Sequence, residues 1–142
     1  MQVARYSLIG AALLAGCTAL PPTPEEIQAK KFEAVPGKAV IYLFRTSLDH
    51  SNRPGQISLG NIVLKTYSGT FFHWVVEPGA RRIEGFGPDA GNITVQAEAG
   101  RLYFVRQQMS PLVQMPSSIF TLVGEAEGRR GVLEGVLLVP EL

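Results

Sequence analysis

Thiols are nearly absent from this chain: among 142 residues, Cys17 is the one cysteine. A single thiol builds no internal disulfide framework, so stability has to come from an ordinary apolar core. Histidine is almost as scarce. His50 and His73 stand 73 − 50 = 23 residues apart, and a metal centre needs three or four convergent His, Cys, Asp or Glu ligands, so the sequence points to no metal and no cofactor. An excess of either charge is missing too. The chain has 13 Lys+Arg against 12 Asp+Glu, which argues against a nucleic-acid partner, since that requires a basic surface to neutralise phosphates.

What is present begins with the three parts of a secretory signal over residues 1–16. Arg5 and the amino terminus make a short positive region, and residues 6–14 are apolar apart from Ser7. That run of about nine residues falls well short of the roughly twenty that cross a bilayer core. Leu14-Ala15-Gly16-Cys17 follows, with small residues directly ahead of the cysteine. This tetrapeptide resembles the lipobox of bacterial lipoproteins. The resemblance implies cleavage after Gly16, a diacylglyceryl thioether on Cys17 and usually acylation of the new amino terminus. Thr18, rather than Asp, after the cysteine resembles outer-membrane sorting. Only Arg5 among the charges leaves with the signal, so the mature 142 − 16 = 126 residues carry 12 − 12 = 0 formal charges and make one domain at most. Two or three acyl chains on one residue anchor stably where a single chain would not. The expected partner is therefore a membrane, and the expected location the periplasmic side of the bacterial envelope.

Residues 17–37 read as a lipidated tether. Pro21, Pro22 and Pro24 favour extended, semi-rigid backbone. Thr23-Pro24-Glu25-Glu26 has the form of a helix start, with Thr23 as N-cap, Pro24 at the first position and Glu26 completing a capping box. Glu26 and Lys30 stand four apart in the favourable order. With only Ile27 and Phe32 as large apolar residues, the expectation is a short, frayed helix in a segment that only spaces.

From Lys38 the apolar period becomes two, so residues 38–142 are expected to form the folded domain. Residues 38–45 are apolar on both parities, the pattern of a central strand covered on both faces. Residues 46–55 form a polar loop. Short strands at 56–59 and 62–66 flank Gly60-Asn61, a two-residue turn suited to the II′ geometry. Residues 70–77 place Phe72, Trp74 and Val76 on one face and Phe71, His73 and Val75 on the other. Pro78-Gly79 reads as a type II turn. Further strands are expected at 80–86, 93–98 (one wet face), 101–108, 119–124 and 136–139. Residues 85–92 and 109–118 read as loops, and 125–134 as a turn of helix weakened by Gly128 and Gly131. Seven or eight short strands at this spacing predict an all-β fold, a small antiparallel β-sandwich or partly open barrel.

Val40-Ile41-Tyr42-Leu43-Phe44-Arg45, then Val76-Glu77-Pro78-Gly79, then Ala97-Glu98-Ala99-Gly100-Arg101-Leu102-Tyr103-Phe104-Val105 resemble, in this order, the family of small bacterial lipoproteins carrying the uncharacterised domain called DUF2846. The resemblance covers roughly residues 38–138 and its motifs are structural. It implies a compact β-sandwich, often on a lipoprotein, with no established activity.

No catalytic constellation emerges. Asp49-His50-Ser51 brings acid, base and hydroxyl together in sequence, but neighbours on a polar loop cannot hold triad geometry, and there is no nucleophile elbow. Gly85-Phe86-Gly87 and residues 124–131 lack the context and lysine of a phosphate cradle and read as turns. Arg45 ends the central strand and must pair with an acid, such as Glu84 or Glu98, or reach solvent. His73 reads as a core or rim histidine. Phe72 and Trp74 read as core, or with Tyr67 as an aromatic platform for glycan or protein if that face is open. The expected function is a non-enzymatic envelope domain that binds or supports, with a glycan or an envelope protein as partner. The alternative is an envelope hydrolase acting on peptidoglycan or lipid.

Overall fold

All seven residues of β1 (Ala39–Arg45) are buried, and its two parities are buried against different layers. Ala39, Ile41 and Leu43 belong to a core between two sheets, whereas Val40, Tyr42 and Phe44 belong to a second core beneath two helices. A strand with apolar residues on both parities has to be sandwiched in this way. The computed structural model describes residues 20–49, 53–85, 91–110 and 118–140.

The remaining elements follow in order. They are α1 (Pro24–Ala29) ahead of β1, then β2 (Gly55–Leu59), β3 (Ile62–Thr66), β4 (Thr70–Val76), β5 (Gly79–Gly85) and β6 (Asn92–Ala97). β7 (Leu102–Met109), β8 (Ser118–Val123), α2 (Glu125–Leu133) and β9 (Val136–Leu137) complete the chain. One sheet has the order β8-β7-β1-β4-β9 and the other β3-β2-β5-β6, a sandwich with no closed barrel among the described residues. The fold is thus the expected all-β sandwich, with β1 at the centre of the larger sheet. The described residues hold nine strands against the seven or eight expected, and the last, expected over 136–139, is the two-residue β9 at a sheet edge.

The larger sheet is not purely antiparallel, which corrects the expectation. β1 pairs with β7, and β4 with β9, in parallel. The chain repeatedly leaves one sheet for the other, and such crossovers return strands in the same direction. Pro78 and Gly79 form one crossing point, from β4 in the larger sheet to β5 in the smaller, and Gly79 takes the positive φ of 123° that the turn demands. The Gly60-Asn61 hairpin pairs Leu59 with Ile62.

Two helical expectations are corrected as well. The turn of helix expected over 125–134 is a full helix, α2 (Glu125–Leu133), which buries Gly128, Gly131 and Val132, so the reading of 124–131 as turns does not hold. A Cβ at Gly128 would collide with the Phe104 ring, and one at Gly131 with Phe44. The glycines that weaken the helix intrinsically are what let it lie close on the sheet.

Residues 24–35, likewise, do more than space. Thr23 Oγ1 accepts from the Glu26 amide at 3.2 Å, as expected of the cap. The Glu26 carboxylate, however, turns to Lys30 Nζ at 2.7 Å and accepts from the Leu137 amide at 3.1 Å, tying α1 to the final strand. Lys30 Nζ also donates to the Gly135 carbonyl at 2.7 Å. Phe32 follows with a φ of 55°, a conformation that costs a bulky residue about 1–3 kcal/mol. Its ring is thereby buried 5.4 Å from Tyr42 and 6.0 Å from Phe104, and burying a phenylalanine contributes about 1.5–3 kcal/mol, enough to offset the strain. The Tyr42 hydroxyl donates to the Ala29 carbonyl at 2.7 Å, and burial pushes its pKa up to about 12.

Candidate functional site

Arg45 leaves the end of β1 into the interior, and its side chain and that of Asp49 are each about 1% exposed. The loop that reads as solvated therefore folds inward at Asp49, and the guanidinium pairs with it rather than with Glu84 or Glu98. Arg45 Nε donates to Asp49 Oδ2 at 2.8 Å, with Nη2 at 2.7 Å from the same oxygen. Nη1 donates to the Arg53 and Thr66 carbonyls, both at 3.0 Å. Both Asp49 oxygens lie near the Met109 amide, at 3.3 and 3.4 Å. Beside this pair the buried Thr66 hydroxyl donates to Gln107 Oε1 at 2.7 Å, and Gln107 Nε2 donates to Ser118 Oγ at 2.8 Å. Five strands or loops are tied at one end of the sandwich by groups that solvent does not reach. Such a cluster clamps this end of the sandwich. His50 and Ser51, the other members of the Asp49 tripeptide, lie outside the described residues, as do residues 1–19 with Cys17 and the centres of the loops at 86–90 and 111–117.

The aromatic residues do not form the open platform. Phe72 is 6% exposed and part of the core between the sheets, and Trp74 packs against the same core. Tyr67 is 44% exposed at the end of β3. His73 lies on the opposite face of β4, its ring 5.1 Å from Tyr42, and burial lowers its pKa. Arg45, Tyr67, His73 and Trp74 thus occupy four separate places. Trp74 nevertheless lines a cleft of about 200 Å³ together with Ser58, Arg81, Arg82 and Glu84.

A larger groove, of about 420 Å³, runs beside β3 and is lined by Gln56, Val63, Lys65, Tyr67, Val139 and Pro140 among others. β3 pairs only with β2 among the described residues, so it is a sheet edge. A two-residue hairpin bonds Leu59 to Ile62, so the inward-bonded residues of β3 are Ile62, Leu64 and Thr66, and the Val63 and Lys65 amides and carbonyls turn outward. Val63 on the wet parity is the one hint of this groove in the sequence. Its other wall depends on where residues 138–140 come to rest, which no local pattern reveals.

Among the described residues no group of three or more His, Cys, Asp or Glu stands close enough to hold a metal ion, and no helix is long and apolar enough to cross a membrane. Comparison of the chain with family models, curated proteins and solved structures finds no match.

Proposed function

We propose that the mature chain is a lipid-anchored β-sandwich of the bacterial envelope, held through Cys17 on the periplasmic side of the outer membrane, and that it works by binding or structural support. The observation that carries the reading is the order of parts. A positive end, a short apolar run and Leu14-Ala15-Gly16-Cys17 are followed by a helix, capped at Thr23, that opens the folded body. The DUF2846-like segments fit this reading, because they fall on β1, on the corner between β4 and β5 and on the approach to β7, all structural positions. The groove beside β3 supports a binding role, since an exposed sheet edge flanked by apolar side chains suits an extended segment of an envelope protein.

The test is the mass of the mature N-terminus after expression in a bacterial host and extraction into detergent. The expected result is a chain that begins at Cys17 and carries acyl mass there, lost on Cys17→Ser. A native protein that partitions into the aqueous phase with an unmodified Cys17 would overturn the reading.

A further inference from the structure

Lipidation leaves this protein very little slack. Between Cys17 and the first helical residue, Pro24, stand six residues, 18–23. At full extension a residue spans about 3.5 Å, and seven steps separate Cys17 from Pro24, so α1 starts within about 25 Å of the anchored residue. Pro21 and Pro22 hold that short span stiff. A domain of about 120 residues is on the order of 35 Å across. The spacer is therefore shorter than the body it carries. The outer face of the small sheet, on the far side of the sandwich from the helices, cannot come down on the bilayer without the spacer wrapping around the protein.

The end of the molecule that the spacer does bring down is apolar. Leu20 in the spacer is 93% exposed, Ile27 of α1 51%, Leu133 in the last turn of α2 54% and Val136 of β9 60%. The last three lie along one edge of the larger sheet, because Glu26 accepts from the Leu137 amide and Lys30 donates to the Gly135 carbonyl, which binds α1 to the segment joining α2 and β9; Val136 projects from the face of β9 opposite Leu137. Exposed charge at this end is mixed, Lys31 and Arg130 against Glu25, Glu33 and Glu134. No excess of positive charge singles out anionic lipid.

From these two observations, and resting on the anchoring of Cys17 proposed above, we infer that the α1–β9 end is a membrane-docking surface. Leu20, Ile27, Leu133 and Val136 lie in the headgroup region of the bilayer, and the outer face of the small sheet points away from it. A handful of exposed aliphatic side chains would bind a free protein to lipid weakly. On a tethered protein the contact is intramolecular, at high effective concentration, and needs only to set orientation. The occupant is the lipid surface itself rather than a protein, because the spacer brings that surface within reach of these side chains in every lipidated molecule. The docked state is held by apolar contact rather than by a basic patch, so high salt does not release it.

The absence of a second cysteine makes the test clean. Once Cys17 is acylated, a cysteine introduced by Leu133→Cys or Gln96→Cys is the only free thiol of the full-length lipidated protein. Gln96 is exposed on β6, on the outer face of the small sheet. Each variant is labelled with an environment-sensitive fluorophore and reconstituted into phosphatidylethanolamine–phosphatidylglycerol vesicles, with or without a nitroxide-bearing lipid, after the acyl mass on Cys17 has been recorded. The expected result is a blue-shifted emission quenched by the nitroxide lipid at position 133, unchanged in high salt, and an aqueous, unquenched emission at position 96. Val136→Cys reports on the same surface should Leu133→Cys fold poorly. Labels that are equally aqueous on a protein whose Cys17 is acylated overturn the docking surface and leave the anchor standing. A protein without acyl mass on Cys17 overturns the anchor, and this inference with it.

Discussion

Arg45 illustrates how one side chain can be costly and indispensable at once. Removing two charges from water costs several kcal/mol per ion, and mutual attraction repays this only when the remaining donors and acceptors are also satisfied. Here Asp49, the Arg53 and Thr66 carbonyls and the Met109 amide supply those partners. Asp49→Ala leaves a buried guanidinium without its counter-charge, and the expected loss is about 3–5 kcal/mol. Arg45→Met combined with Asp49→Leu replaces both charges by apolar groups and should recover most of that loss. Denaturant midpoints at unchanged m-value measure both. An Asp49→Ala protein as stable as the parent would show that the pair does not clamp this end of the sandwich.

At the scale of elements, the two helices deserve opposite treatment from the one their sequences suggest. Replacing an interior helical glycine by alanine ordinarily gains about 1 kcal/mol. For Gly131→Ala the gain is overridden, because the new methyl falls on Phe44, and overpacking of this kind costs about 1–3 kcal/mol. The melting temperature should therefore fall, and a rise would mean that α2 can lift off the sheet freely. Helix α1 and Phe32 form the other half of the cover over Tyr42, Phe71 and Phe104. A chain that begins at Lys38 uncovers those rings. Phe32→Ala alone should cost about 3–5 kcal/mol, the range for truncating a buried phenylalanine. Equal thermal stability with and without residues 18–37 would return that segment to the role of a spacer.

For the molecule as a whole, acid is the expected weakness. Burial lowers the pKa of His73, so its folded-state value lies below the ordinary 6.5. The unfolded chain then takes up the proton first, and stability falls as pH drops below 6.5 towards the folded value. Glu26 acts in the same sense at lower pH. Burial pushes its pKa up, but the Lys30 hydrogen bond, the Leu137 amide and the charge of Lys30 outweigh this and hold it below the usual 4.5. Its contribution is complete above pH 4.5 and is lost as pH falls through the folded value. Melting temperature measured against pH should flatten below about 6.5 in His73→Phe, and below about 4.5 in Glu26→Gln. Profiles parallel to that of the parent would remove both groups from the account.

Local pattern alone determined the parts that depend on neighbours along the chain. Period-two alternation located the strands, apolar residues on both parities of 39–45 marked the central one, and Thr23, Gly60 and Gly79 announced a cap and two turns before any contact was known. Those signals are legible because backbone geometry forces them within a few residues. The parallel pairing of β1 with β7, the inward turn of Asp49 to Arg45, the packing of α1 on Tyr42 and the groove beside β3 were decided only by tertiary structure. Each is completed by residues far along the chain, such as Thr66 and Met109 around the Arg45–Asp49 pair and Leu137 against α1. Their energy comes from burial against distant residues, and no stretch of sequence read by itself contains the surface it will be buried against.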